Sequence, residues 1–213
     1  MTDDGYQGPK RGADRAVLLA HGAGADMHAS ALTAVADALA DARVPSLRFD
    51  FPYRRAGRRG PDRPPVLLAA ARDAAAELAR RAKLPSERLV LGGRSMGGRI
   101  CSMVVADETD PVPTLGLALL GYPLHPPGKP DQLRVEHFPR ITVPVLFVSG
   151  TRDAFATPDE LKRHAKKVKG PVTFSWLETG DHGFKPLKAS GLTPAAALAA
   201  AAEAVVGFVQ SLD

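Results

Sequence analysis

A serine framed by glycines stands at Gly93-Arg94-Ser95-Met96-Gly97, inside the run Leu89-Val90-Leu91-Gly92-Gly93-Arg94-Ser95-Met96-Gly97-Gly98. The spacing G-x-S-x-G is that of a nucleophile elbow, a strand-to-helix turn that carries the serine at its apex in a strained backbone conformation. Side chains two residues before and after the serine would collide with their neighbours, so glycine is needed at both places. A serine hydroxyl is a poor nucleophile at neutral pH and needs a histidine base, held in the right tautomer by a carboxylate. Both residue types follow: Asp153 in Ser149-Gly150-Thr151-Arg152-Asp153, and His182 in Gly180-Asp181-His182-Gly183. Asp153 could instead cap a turn after Gly150. Asp181 is the rival acid, but adjacent residues on a loop point apart, which would leave Asp181 to fix its own turn. Acyl transfer also needs N–H donors for a tetrahedral oxyanion. Met96, at the start of a helix, offers one with the helix dipole behind it. The turn His21-Gly22-Ala23-Gly24 offers the second at Ala23, with His21 hydrogen-bonding to shape the turn.

These residues need elements to hold them. Arg15–Ala20, Val44–Phe51, Arg88–Leu91, Leu115–Leu120, Val143–Val148 and Val172–Leu177 read as strands. Helical spacing marks Ser30–Arg43, Val66–Lys83 and the apolar stretch Ile100–Val105. Thr157-Pro158-Asp159-Glu160 is a capping box with proline at the first helical position, and Thr193-Pro194 opens a last, alanine-rich helix running to about Val209. Strands without polar alternation, separated by helices, predict an α/β fold with a mostly parallel central sheet and helices on both faces. In such sheets the ligand crevice lies beyond the carboxyl ends of the strands, and every glycine- and charge-bearing segment named above falls there.

The chain has 213 residues, 45% hydrophobic and 24% charged, which suits one globular domain over 13–213 behind a flexible segment at 1–12. Its early apolar run is too short for a signal peptide or a membrane span, and its single cysteine, Cys101, fits a reducing compartment; the expected location is cytoplasmic. The net charge of +5 is gathered in two groups. Lys162, Arg163, Lys166, Lys167 and Lys169 read as a solvated helix face. Arg54, Arg55, Arg58, Arg59 and Arg63 fall in a loop at the same sheet edge as Ser95, where they would attract anionic substrates. No stacking aromatics accompany either group and no nucleic-acid module is visible. His28, His137 and His164 lack metal-ligand spacing, so neither a metal nor another cofactor is expected.

Together with Phe51-Pro52-Tyr53-Arg54-Arg55 and Gly121-Tyr122-Pro123-Leu124-His125-Pro126-Pro127-Gly128-Lys129, the motifs resemble the α/β-hydrolase superfamily. More narrowly, they resemble a compact dienelactone-hydrolase-like branch with testis-expressed and chromatin-complex relatives. The resemblance runs from about Ala16 to Val209. It implies a minimal hydrolase fold, the order Ser95, Asp153, His182 for a catalytic triad, and Ala23 and Met96 as oxyanion donors. True dienelactone hydrolases use a cysteine where this chain has Ser95, so their substrate is not carried over. No large insertion follows the Leu115–Leu120 strand, so the helical lid of lipases is not expected.

The residues thus point to a serine hydrolase acting on an ester or thioester of a small soluble molecule, an anionic one unless the arginine loop is merely a solvated surface that aids solubility. Arg54, Arg55, Arg94, Tyr122 and His125 are its candidate substrate contacts. Neither nucleic acid nor membrane is expected as a partner, and a monomer or small homo-oligomer is. The alternatives are a hydrolase-fold interaction protein with a vestigial triad and a basic binding module using the Arg54–Arg63 loop. A histidine base predicts that turnover rises with pH as the imidazole loses its proton. A flat rate profile between about pH 5 and 9 would contradict it.

Overall fold

A computed structural model describes residues 4–213. Its strands are β1 (Tyr6–Gln7), β2 (Ala16–Ala20), β3 (Ser46–Phe49), β4 (Leu89–Arg94), β5 (Gly116–Leu120), β6 (Val145–Gly150) and β7 (Val172–Leu177). The helices are α1 (Ser30–Asp41), α2 (Pro52–Arg55), α3 (Pro64–Ala82), α4 (Met96–Val105), α5 (Pro158–Ala165) and α6 (Pro194–Gln210). The strands form one seven-stranded sheet in the order β1-β3-β2-β4-β5-β6-β7, parallel except for β1. The expected α/β architecture is therefore present.

Two elements lie where loops were expected. Tyr6 and Gln7, inside the segment expected to be flexible, pair antiparallel with β3, and the Arg81 guanidinium lies 4.3 Å from the Tyr6 ring centre. A strand of two residues leaves no periodicity to read. The part of that expectation that falls on residues 1–3 lies outside the described residues. The single turn α2 opens on Pro52, whose fixed φ suits a first helical position.

The central strands are buried on both sides, and their side chains feed two cores by strict alternation. Leu18, Leu91, Leu119 and Phe147 point to the face covered by α3, α4 and α5. Val17, Leu19, Val90, Ala118, Leu120 and Val148 point to the face covered by α1 and α6. The helix ends follow their sequence signals: Thr157 and Glu160 cap α5 reciprocally, and Thr193 accepts the Ala196 N–H at α6. No helix among the described residues is long and apolar enough to cross a membrane.

The topology opens the crevice. From β2 the chain goes to β3 on one side, then crosses back to β4 on the other. The helix after β2 covers one face and the helix before β4 covers the opposite face. The loops leaving β2 and β4 therefore part at the carboxyl edge, a topological switch point.

The irregular segment after β5, residues 121–144, is tied to the sheet by a buried polar knot. Ser102 of α4 donates to the Arg99 carbonyl and sits 2.8 Å from His137 Nε2. With its proton committed, the hydroxyl accepts from the imidazole N–H. Nearby, the Tyr122 hydroxyl donates to the Arg134 carbonyl at 2.7 Å. Burial, reinforced by the charges of Arg99 and Arg140, pushes the His137 pKa down from 6.5 to about 4. The unfolded chain thus takes up this proton near pH 6.5 and the folded one only near pH 4. Stability from the neutral ring is complete above that upper value and is lost as pH falls through the window, by about 3 kcal/mol in total. Urea unfolding of wild type should weaken more between pH 7 and 4.5 than that of His137→Gln, which keeps a donor for Ser102 but cannot titrate. Parallel losses would contradict this role.

Candidate active site

β4 ends at Arg94 and α4 begins at Met96, so Ser95 alone turns the chain. It does so with φ 50° and ψ −116°, a conformation costing about 1–3 kcal/mol that persists only where packing imposes it. Its N–H donates to Leu120 of β5 at 2.9 Å and its carbonyl accepts the Arg99 N–H at 3.0 Å. One bond belongs to the sheet and the other to the helix. The turn is pressed against the end of β2: a Cβ on Gly93 or Gly97 would overlap the Ala20 backbone, and Gly93 also has φ 149°.

His182 Nε2 lies 3.0 Å from Ser95 Oγ, and His182 Nδ1 lies 2.9 and 2.8 Å from the two Asp153 oxygens. The carboxylate accepts the Nδ1 proton, which leaves the Nε2 lone pair facing the serine hydroxyl. Asp153, at the end of β6, is 1% exposed, and its Oδ1 also accepts the Phe155 N–H at 2.8 Å. The Phe155 ring stacks on the imidazole, 3.9 Å between centres, and fixes its plane. Asp181 accepts the N–H groups of Gly183 and Lys185 at 2.8 and 2.9 Å, bracing the loop that carries His182. Cys101, the neighbouring thiol, is fully buried, and burial pushes its pKa up to about 12.

On the β2 side, His21 has no exposed surface. Its Nε2 accepts the Phe51 N–H at 3.2 Å, so its Nδ1–H donates to the Gly22 carbonyl at 2.9 Å. Burial keeps the ring neutral by lowering its pKa. Gly22 and Ala23 are thereby held at the rim of the cleft that contains Ser95.

That cleft has a volume of about 600 Å³. Gly22, Ala23, Ala25, Ala29 and Ala31 line it on the β2 side; Arg94, Arg99, Pro123 and Arg134 line it on the β4–β5 side. Of the five residues expected to contact substrate, only Arg94 is on this wall. Arg54 reaches Asp26 at 3.4 Å, and Arg55 lines a separate cleft of about 690 Å³ between β3 and α3. Tyr122 is buried in an aromatic cluster with Phe138 and Phe147, and His125 faces Glu160 at 3.6 Å. The short helix α2 redirects the arginine loop, and α5 claims His125. Arg99, Arg134 and Phe155 were missed. Arg99 stands one helical turn after Ser95, a spacing that could have flagged it. Arg134 lies in irregular chain with no periodic signal.

Residues 13–210 match the family model described as "Alpha/beta hydrolase domain". The chain belongs to this family. Among solved structures, the chain resembles Est1E from Butyrivibrio proteoclasticus with ferulic acid bound: TM-score 0.71, 17% identity, 95% of this chain and 90% of that one. Dienelactone hydrolase from Anabaena variabilis matches with TM-score 0.69 and 20% identity over 95% and 88%. An alpha-beta serine hydrolase homologue from Coxiella burnetii matches with TM-score 0.69 and 18% identity over 95% and 89%. At such identities the likeness is one of fold.

The packing of the hydrolase elbow gives a paired prediction. Gly97→Ala forces a Cβ into the Ala20 backbone and should cost about 1–3 kcal/mol, with loss of the Ser95 geometry. Gly207→Ala, in α6 where a Cβ meets nothing within 4 Å, should stabilise by about 0.5–1 kcal/mol. Urea midpoints check both signs, and equal shifts would contradict the account.

Proposed function

We propose that this hydrolase domain is a serine hydrolase that cleaves an ester or thioester of a small soluble molecule through an acyl-enzyme on Ser95. The observation that carries the reading is the unbroken hydrogen-bond chain from buried Asp153 through His182 to Ser95 Oγ.

His182 Nε2 takes the Ser95 proton as Oγ attacks the substrate carbonyl carbon. Asp153 holds the Nδ1–H tautomer and stabilises the imidazolium that forms. The carbonyl π electrons move to oxygen, and that oxyanion accepts from the N–H groups of Met96 and Ala23. Met96 is the first residue of α4, so its N–H has no carbonyl one turn back within the helix. Collapse of the tetrahedral intermediate expels the leaving alkoxide or thiolate, which takes the proton from His182. Water, deprotonated by the same nitrogen, then attacks the acyl-enzyme and releases the acid, restoring Ser95. Neighbours named as esterase and dienelactone hydrolase share the fold and support an ester as the scissile bond.

Ser95→Ala and His182→Ala should each lower kcat/KM on an activated ester by about 10⁴-fold or more, with the double variant little worse, because the residues act as a unit. Asp153→Asn should cost about 10³–10⁴-fold with the fold intact, and Asp181→Asn far less. Wild-type rates in Asp153→Asn, with activity lost in Asp181→Asn, would overturn the acid assignment. Failure of a fluorophosphonate probe to label Ser95 would mean that the triad is inert.

A further inference from the structure

The charge of the Ser95 cleft is lopsided. Arg94, Arg99 and Arg134 line it, and no aspartate or glutamate does. None of the three guanidinium groups has an ion-pair partner among the described residues, and Arg94 Nη1 and Arg99 Nε are buried with no hydrogen-bond partner there. Other half-buried arginines reach acids: Arg72 pairs with Asp107 and Asp110, and Arg81 with Asp4.

Burial lowers the Arg94 pKa to about 10, and burial together with Arg99 lowers that of Arg134. Three like charges on one half-buried wall with no acid among its lining residues cost the empty protein stability, an arrangement expected at a functional site rather than in a scaffold.

The wall is also braced. Ser102 donates to the Arg99 carbonyl and Tyr122 to the Arg134 carbonyl, so the buried knot behind α4 fixes both backbones. Arg94 is held separately, its guanidinium 4.7 Å from the Phe184 ring centre and in the field of Asp153. Arg94 is thus tied to the triad side, which leaves Arg99 and Arg134, near enough for the one charge to act on the other, as a second pair on the wall. The opposite rim is neutral, made by Ala25, Ala29 and Ala31.

Resting on the serine-hydrolase reading, we propose that Arg99 and Arg134 form a subsite for a compact anionic group, a carboxylate or a phosphate. The substrate carries that group a few bonds from the scissile carbonyl, and its neutral end lies toward the alanines. Planar guanidinium groups bind either anion in a bidentate manner, which adds orientation to attraction. The expected Arg54–Arg55 attraction is thereby replaced by a pair within the cleft itself.

Two matched ester pairs test this. One compares p-nitrophenyl glutarate with its methyl-capped neutral form, putting the charge on the acyl side. The other compares 4-acetoxybenzoate with its methyl ester, putting the charge on the leaving group. At least one pair should favour the anion by about tenfold or more in kcat/KM, an advantage that shrinks with salt. Arg99→Gln and Arg134→Gln should each reduce that ratio several-fold, whereas Arg54→Gln should not. Arg134→Lys, which keeps the charge, should retain part of it. Calorimetry on Ser95→Ala, with glutarate and inorganic phosphate as probes, separates this site from the reaction and ranks the two anions. If no ester is turned over but a probe binds in an Arg99- and Arg134-dependent way, the hydrolase reading fails and the anion subsite stands. Ratios near one in both pairs, a ratio that survives the double Gln variant, or binding of neither probe would overturn the subsite.

Discussion

The contact between the Ser95 turn and the end of β2 constrains the whole site. Ser95 sits in a conformation that its own side chain disfavours, and the two flanking glycines hold it there by fitting against the Ala20 backbone. The same turn joins the β4–β5 ladder to the first turn of α4 through the Leu120 and Arg99 bonds. Local strain of about 1–3 kcal/mol is therefore carried by the sheet. Loosening the packing at Ala20 would shift Oγ, the Met96 N–H and Arg99 together relative to His182, since the first three take their positions from this junction and His182 is held by the loop after β7.

Around it, each side chain of the site is positioned by a loop held from behind. Asp153 is buried at the end of β6, and the Phe155 N–H that it accepts belongs to the residue whose ring stacks on His182. Asp181 ties the His182 loop through Gly183 and Lys185, and His21 ties the Ala23 turn to Phe51. None of these is a reacting atom in the proposed mechanism, yet each removes a degree of freedom that misaligned catalysis would otherwise explore. The cationic wall follows the same logic, with Ser102 and Tyr122 holding the backbones that present Arg99 and Arg134.

How far the sequence could be read depended on whether a feature was local. The buried strands, the capping box of α5, the Thr193 cap of α6, the elbow glycines and the loops carrying Ser95, Asp153 and His182 are all written in short stretches. The opposed roles of Asp153 and Asp181 could also be anticipated, because neighbours on a loop diverge. The arginine wall of the cleft was not legible. Arg54 and Arg55 stand in the right loop but are turned away by a one-turn helix and by Asp26. Arg134 enters the cleft only because the segment after β5 folds back across α4, a long-range event that leaves no periodic trace. The strand at Tyr6–Gln7 was hidden for the opposite reason: it is too short to have a pattern.

The central claim is that Ser95 becomes covalently acylated during turnover. The direct measurement is rapid acid quenching of the enzyme with p-nitrophenyl acetate, followed by peptide mass spectrometry. The account predicts an acetyl group on the peptide containing Ser95, formed as fast as p-nitrophenol is first released and absent in Ser95→Ala. Sustained turnover with no adduct at Ser95, and undiminished in Ser95→Ala, would contradict it.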